Sequence, residues 1–170
     1  LPTYFECATL LALLWFAEQQ TEAVILETGM GGRLDATNVV TPLLSIITDI
    51  SRDHEQYLGT TIEAIAREKA GIIKPGIPVV FSGRLPEALP VIEARCDQQN
   101  SPLFVFGSHF NAMRADNQNF DYHALSGEVH SGLPLRLQGE HQIVNTSLAL
   151  AALELLAPAF PLALPRLITG

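Results

Sequence analysis

Cysteine is scarce in this chain: its 170 residues hold only Cys7 and Cys96. Two cysteines give no disulfide framework, which fits the reducing cytosol better than a secreted scaffold. Basic residues are also few, 10 Lys and Arg against 18 Asp and Glu, for a formal net charge of −8. With no basic run, the chain lacks the electrostatic footprint for binding nucleic acid or an anionic membrane. Long apolar runs are missing too. The longest, Ala8 to Ala17, is interrupted by Thr9 and flanked by Glu6 and Glu18, well short of the roughly 20 residues that span a bilayer. No basic region precedes it, so it makes a poor signal peptide; it reads as a buried helix. There are no internal repeats or low-complexity tracts. Nowhere does the chain contain G-x-x-x-x-G-K-[ST], the loop that cradles nucleotide phosphates.

What is present is the material of one ordered domain. Hydrophobic content is 48%, and a chain of this size buries roughly 70% of its unfolded surface. Thr3 to about Gln19 has the Leu and Ala content of a helix, and Ala23 to Glu27 reads as a short buried strand. Leu43 to Thr48 predicts a second strand, whose near-continuous apolarity suits a sheet covered on both faces. Thr60 and Glu63 form a capping-box pattern, so a helix is expected from Thr61 to about Ala70, with Gly71 as its stop. Strands follow at Pro78–Phe81 and Leu103–Phe106. Between them a helix opens at Pro86 and runs to about Gln99, with Pro90 removing one backbone bond. Beyond Gly107 the sequence turns polar, and residues 120–125 and 133–137 predict an antiparallel pair. Glu140 to Leu156 predicts a long final helix. Alternating strands and helices imply an α/β fold with a mostly parallel sheet flanked by helices. The domain is placed at residues 1–157, with 158–170 as a linker.

The chemistry concentrates in Leu26-Glu27-Thr28-Gly29-Met30-Gly31-Gly32-Arg33-Leu34-Asp35-Ala36-Thr37-Asn38. An apolar strand delivers Glu27 to its carboxyl end, where open α/β sheets bind ligands. The glycines then allow close backbone approach to a ligand. Glu27 suits an Mg²⁺ ion, which takes a few carboxylates with phosphate oxygens and waters. It equally suits a loop acid that caps a helix or pairs with Arg33. His54, after a buried strand through Asp53, is by itself an ordinary histidine, and Lys69 in the last turn of a helix is favoured by the helix dipole alone. Phe5 at a helix start fits core packing, and Asp35 fits an ordinary turn acid. His141 and Asn145, four apart, share one face of the last helix. Cys7 and Cys96 have no nearby histidine pattern and read as structural.

Three further segments complete a pattern: Asp53-His54-Glu55-Gln56-Tyr57-Leu58-Gly59, Ile65-Ala66-Arg67-Glu68-Lys69-Ala70-Gly71-Ile72-Ile73-Lys74-Pro75-Gly76, and Gly139-Glu140-His141-Gln142-Ile143-Val144-Asn145. Together with the glycine loop, in this order and spacing, they resemble the central domain of the folylpolyglutamate synthase/dihydrofolate synthase family. That family belongs to the Mur ligase superfamily of ATP-dependent amide ligases. The resemblance covers nearly the whole chain and implies a P-loop NTPase-like central domain with an antiparallel β addition, here without its phosphate-binding loop. It implies that Glu27 and His54 are ligands of two Mg²⁺ ions. It also implies that Lys69 is carbamylated by CO₂, which requires a neutral amine and hence a lysine of depressed pKa. Asp35 and Ala36, with Thr3 and Phe5, match positions that bind the pterin of dihydropteroate, and His141 and Asn145 match the nucleotide-binding segment, with the asparagine near adenine.

The reaction implied is ATP-dependent addition of L-glutamate to dihydropteroate or to the glutamyl tail of a reduced folate, through an acyl phosphate, in a cytoplasmic monomer. The chain opens on Leu1 and both its ends are apolar, so it reads as a piece of a longer protein, and the 170 residues alone are expected to be inactive. A non-catalytic folate- or nucleotide-binding module, a truncated remnant and a cell-wall Mur ligase remain as alternatives. The L-E-x-G-x-G-G-R-x-D-A-T-N loop favours folate.

Overall fold

In a computed structural model of the chain, which describes residues 1–51, 55–137 and 139–160, Val79–Phe81 forms β2, the middle strand of a parallel sheet. Its neighbours are β1 (Ser45–Ile47) and β3 (Leu103–Val105), in the order β1-β2-β3. The register pairs Ser45, Ile46 and Ile47 with Val79, Val80 and Phe81, which pair in turn with Leu103, Phe104 and Val105. All three β2 residues are buried, as expected of a strand covered on both faces.

Alternation along β2 divides the core in two. Val79 and Phe81 face one cluster, with Ile65, Ala66, Ala70 and Ile73 from the α3 (Ile62–Lys69) region and Ile92 and Cys96 of α4 (Leu89–Gln99). Val80 faces the other, with Phe110, Phe120, Tyr122 and Leu133 of the antiparallel layer and Ile143, Leu148 and Ala151 of α5 (Glu140–Leu156). That layer is a three-stranded sheet, β4 (Asn111–Arg114), β5 (Asn119–His123) and β6 (Val129–Pro134). Tyr122 donates its hydroxyl to Glu154 Oε1 at 2.6 Å, tying this sheet to α5. Burial pushes the Cys96 thiol up to about 11, so it is a packing residue.

The α/β architecture and its parallel sheet follow the sequence reading, and α5 spans its expected residues. Several boundaries move. The cap of α3 is Thr61, whose hydroxyl accepts from Ala64 N–H, one residue after the expected Thr60. The helix expected from Pro86 starts at Leu89, after a turn closed by Ala88 N–H to Leu85 O. Pro90 falls in its first turn, where an N–H has no helical partner, so no helical bond is lost. The expected antiparallel pair gains a third strand, β4, and β6 runs over residues 129–134 rather than 133–137, ending one residue before Leu135. A four-residue helix, α2 (Glu55–Leu58), precedes α3.

Two corrections are larger. Helix α1 (Tyr4–Glu18) forms with Thr3 as its cap, but none of its residues is buried. Ala8, Thr9, Ala12, Leu13 and Phe16 make a half-buried stripe, while Leu10, Leu11, Leu14 and Trp15 are exposed on the opposite side. An apolar pattern all round predicts burial, yet no element among the described residues covers that side. Residues 23–27 form no strand and join no sheet, and Ile25 is fully open to solvent. A strand needs a neighbour to complete its ladder, and none of the described residues supplies one. Of the expected linker, residues 161–170 lie outside the described residues. None of the described helices is long and apolar enough to cross a membrane.

Candidate active site

The glycine loop follows Glu27 and packs against the end of α3. Gly32 sits where a Cβ would fall 2.9 Å from Glu68 O and 3.0 Å from Lys69 O, so the loop backbone lies directly on the helix terminus. Gly71 is closer still: a Cβ there would stand 2.3 Å from Arg33 Cα. These approaches explain why glycine occupies both sides of the junction.

Polar bonds fasten what the glycines bring together. Arg33 N–H donates to Glu68 O at 2.8 Å. Its guanidinium grips the Glu68 carboxylate through Nε (3.1 Å to Oε1, 3.2 Å to Oε2) and Nη2 (3.1 Å to Oε1). The Asn38 amide donates to Arg33 O and to Gly71 O, both at 3.1 Å, and Lys74 Nζ donates to Asn38 O at 2.8 Å. Asp35 organises the loop from within. Its Oδ1 accepts from Thr37 N–H at 3.0 Å and Thr37 Oγ1 at 2.6 Å, capping the short 3₁₀ turn Ala36–Val39, while Oδ2 accepts from Met30 N–H at 2.9 Å. Partial burial pushes the Asp35 carboxyl up, but the bonds from Thr37, Met30 and Gly29 outweigh it and hold it below the usual carboxylate range.

Between loop and helix lies a pocket of about 150 Å³, lined by Thr28, Gly29, Met30 and Gly31 on one side and Ser51, Leu58, Ile65 and Lys69 on the other. Glu27 stands at its edge by sequence, exposed and with no hydrogen bond or ion pair among the described residues. The pairing of Glu27 with Arg33, one of the two duller readings, does not form, because Arg33 is taken by Glu68. Helix α1 brings Phe5 onto the loop: a Cβ on Gly29 would meet the Phe5 ring at 2.7 Å. Thr3 and Glu6 close a reciprocal cap, with Thr3 N–H to Glu6 Oε2 at 2.6 Å and Glu6 N–H to Thr3 Oγ1 at 3.2 Å. Phe5, Gly29, Met30 and Asp35 are thus contiguous, and Ala36 follows on the 3₁₀ turn.

His141 and Asn145 are exposed in the first turns of α5, and neither lines the loop pocket. The His141 ring folds back over Gly139, whose φ of +110° and lack of Cβ make room for it. Gln142 links the two, its Nε2 3.1 Å from His141 Nε2 and its Oε1 3.5 Å from Asn145 Nδ2. Arg114 of β4 holds the helix start through Glu140, Nε to Oε1 at 2.7 Å. His54 lies outside the described residues, as does Asp53. Among the described residues no cluster of three His, Cys, Asp or Glu side chains converges on one point.

The family pattern described as the Mur ligase middle domain matches residues 2–153. The chain belongs to the Mur ligase family. Within that family it is 43% identical to the dihydrofolate synthase/folylpolyglutamate synthase of Bacillus subtilis, over 90% of this chain and 36% of that protein. Against the folylpolyglutamate synthase of Lacticaseibacillus casei it is 38% identical, over 87% of this chain and 35% of the other. Among solved structures, an FPGS–AMPPCP–folate complex superposes with a TM-score of 0.92 at 36% identity, over 99% of this chain and 42% of that one. The folylpolyglutamate synthase of Thermotoga maritima gives 0.88 at 38% identity, over 99% and 38%. This Mur ligase domain therefore spans about a third of the length of the curated relatives it matches.

Reading the sequence of this Mur ligase domain missed the groups that fasten its loop. Glu68, Asn38 and Lys74 all sit inside the quoted motifs but were given no role. Charges of opposite sign in two motifs, Arg33 in one and Glu68 in the other, were the available signal.

Proposed function

We propose that this Mur ligase domain serves an ATP-dependent ligase that adds L-glutamate to dihydropteroate or to a folate glutamyl tail. The observation that carries this reading is the glycine-loop pocket. Glu27, without a partner among the described residues, directly precedes the lining residue Thr28, and Lys69 lines the wall across from the loop, in a chain 38–43% identical to synthases of that name. Support for the ligands comes from the solved relative that holds AMPPCP and folate together.

The residues fit the metal chemistry. Glu27 is a hard oxygen donor left free by the Arg33–Glu68 pair, the donor Mg²⁺ prefers. Glu27 and His54 would hold the two Mg²⁺ ions, which would screen phosphate charge when bound. Lys69, in carbamylated form, would support the second. Phe5, with one face on Gly29, would stack on a pterin ring. Asp35 and Ala36 would meet the pterin's polar edge, with Thr3 fixing the helix start that carries Phe5. His141 and Asn145 would meet the nucleotide from α5.

In the reaction a substrate carboxylate attacks the γ-phosphate of ATP, releasing ADP and forming an acyl phosphate. The glutamate amine then attacks the acyl carbon, releasing phosphate and leaving an amide. The chain's own contribution is positioning: the loop backbone and Lys69 shape the pocket, and the Phe5 ring packs on Gly29 of the loop. The enzyme acts as a cytoplasmic monomer, with residues 1–157 as this domain and 158–170 leading onward.

The test is incorporation of labelled L-glutamate by the polypeptide as the cell makes it, supplied with ATP, Mg²⁺ and either dihydropteroate or tetrahydrofolate. The expected result is an ATP-dependent glutamyl amide, with one ADP formed per glutamate added. Labelled amide on a cell-wall nucleotide precursor, with none on either folate substrate, would overturn the reading in favour of a peptidoglycan ligase.

A further inference from the structure

We propose that Arg33 and Glu68 are positioning residues that set the distance between the glycine loop and Lys69, and so the shape of the pocket. The proposal rests on the ligase reading above. Its basis is where the bonds fall. The pocket has two facing walls, the loop backbone from Thr28 to Gly31 and the α3 residues Ile65 and Lys69. Glu68 is the residue next to Lys69 and is gripped twice by Arg33, through its side chain and through its main-chain carbonyl. Arg33 follows the glycine run directly. One pair therefore joins the two walls within two residues of the pocket lining on each side.

The fork geometry matters as much as the charge. Both Nε and Nη2 of Arg33 engage the carboxylate, a planar match that lysine cannot reproduce. On its own such a pair is weak evidence of stabilisation, since the Arg33 side chain is 55% exposed and Glu68 25%. Its consequence is geometric. The Asn38 amide fixes the adjoining stretch by bridging Arg33 O and Gly71 O, so the side-chain fork governs the rotation of the α3 terminus against the loop. A shift of about 1 Å at reacting groups lowers turnover by about a hundredfold.

The experiment compares wild type, Arg33→Lys, Glu68→Gln, Arg33→Ala and the double variant Arg33→Ala/Glu68→Ala in the polypeptide as the cell makes it. Glutamate incorporation is resolved into kcat and the KM for ATP, with thermal unfolding alongside. The expected result is a kcat lowered about tenfold or more in each single variant, with KM changed far less, as for a group acting on the reacting geometry. Thermal midpoints stay close to wild type. The double variant loses no more than Arg33→Ala alone, because the two residues act as one unit. Arg33→Lys should lose nearly as much as Arg33→Ala, since it keeps the charge and forfeits the fork. Unchanged kcat in Arg33→Lys and Glu68→Gln overturns the proposal while leaving the ligase reading intact. So does a drop in kcat that only follows a fall in thermal midpoint. Absence of glutamate incorporation in wild type overturns the ligase reading first, and the positioning role with it.

Discussion

The first 27 residues and the next eleven are built on opposite terms. In α1 and the segment after it, apolar side chains such as Leu11, Trp15 and Ile25 lie exposed, and no backbone bond among the described residues joins 23–27 to a sheet. In the glycine loop that follows, Arg33, Asp35 and Asn38 all have their side chains engaged and Gly31 and Gly32 are buried. The loop finds its partners in itself, in α3 and in Gly71 and Lys74 just beyond that helix. The apolar segment depends on a neighbour that the described residues do not provide. Hydrophobicity states that a surface wants covering, whereas a polar motif at fixed spacing names the groups that meet.

The sharpest way to break the contrast is to disturb the loop at its tightest point. Gly71→Ala places a Cβ against Arg33 backbone atoms and should destabilise by about 3 kcal/mol, at the upper end for overpacking. Denaturant unfolding measures it, and an effect below about 1 kcal/mol would mean that the loop yields easily.

Next in size is Tyr122→Phe, which leaves the carboxylate of Glu154 without the hydroxyl that now reaches it at 2.6 Å. A bond to a charged acceptor is worth about 2 kcal/mol, so unfolding should move by that much. It tests a junction far from the loop, between the antiparallel sheet and α5.

Asp35→Ala comes third, removing a cap and its bond to Met30, for a loss of about 1 kcal/mol at neutral pH. The pH dependence gives the sign. Because the folded carboxyl lies below its ordinary range, Asp35 contributes stability that is present above the unfolded value near about 4 and lost as pH falls through the folded one. Wild type and Asp35→Ala should therefore converge in stability on acidification. A difference that held constant from neutral pH down to strong acid would contradict this account of the loop.

The smallest effect belongs to α1. Leu11→Gln changes an exposed side chain and should shift the stability of the described residues by no more than about 0.5 kcal/mol. A loss several times larger would show that a neighbour covers this helix and would erase the contrast.

These same residues mark how far sequence reasoning reached. The parallel sheet, α3 and α5 follow from local pattern, because their apolar faces find partners inside the chain. The positions of the glycine loop and of Lys69 follow from motif spacing, and the two meet across one pocket. The buried strand at Ala23–Glu27 and the buried α1 were misread for one physical reason: burial belongs to a pair of surfaces, and a sequence pattern shows one of them. Pro90 was misread because its effect depends on where the helix begins, and a helix start is set by the turn at Leu85–Ala88 rather than by the proline itself. The third antiparallel strand, Asn111–Arg114, is mostly exposed, so it carries little apolar alternation to betray it. The Arg33–Glu68 fork escaped notice because its members are thirty-five residues apart and meet only once the glycines let the chains approach.

The proposal that reaches furthest is that Glu27, exposed and without a partner among the described residues, serves as a metal ligand beside the pocket. It is tested most directly by the Mg²⁺ dependence of glutamate incorporation in wild type and Glu27→Gln, each in the polypeptide as the cell makes it. The account predicts that Glu27→Gln raises the Mg²⁺ requirement by about tenfold or more, on the scale seen when groups around a bound metal are altered. An Mg²⁺ dependence identical to that of wild type would contradict it.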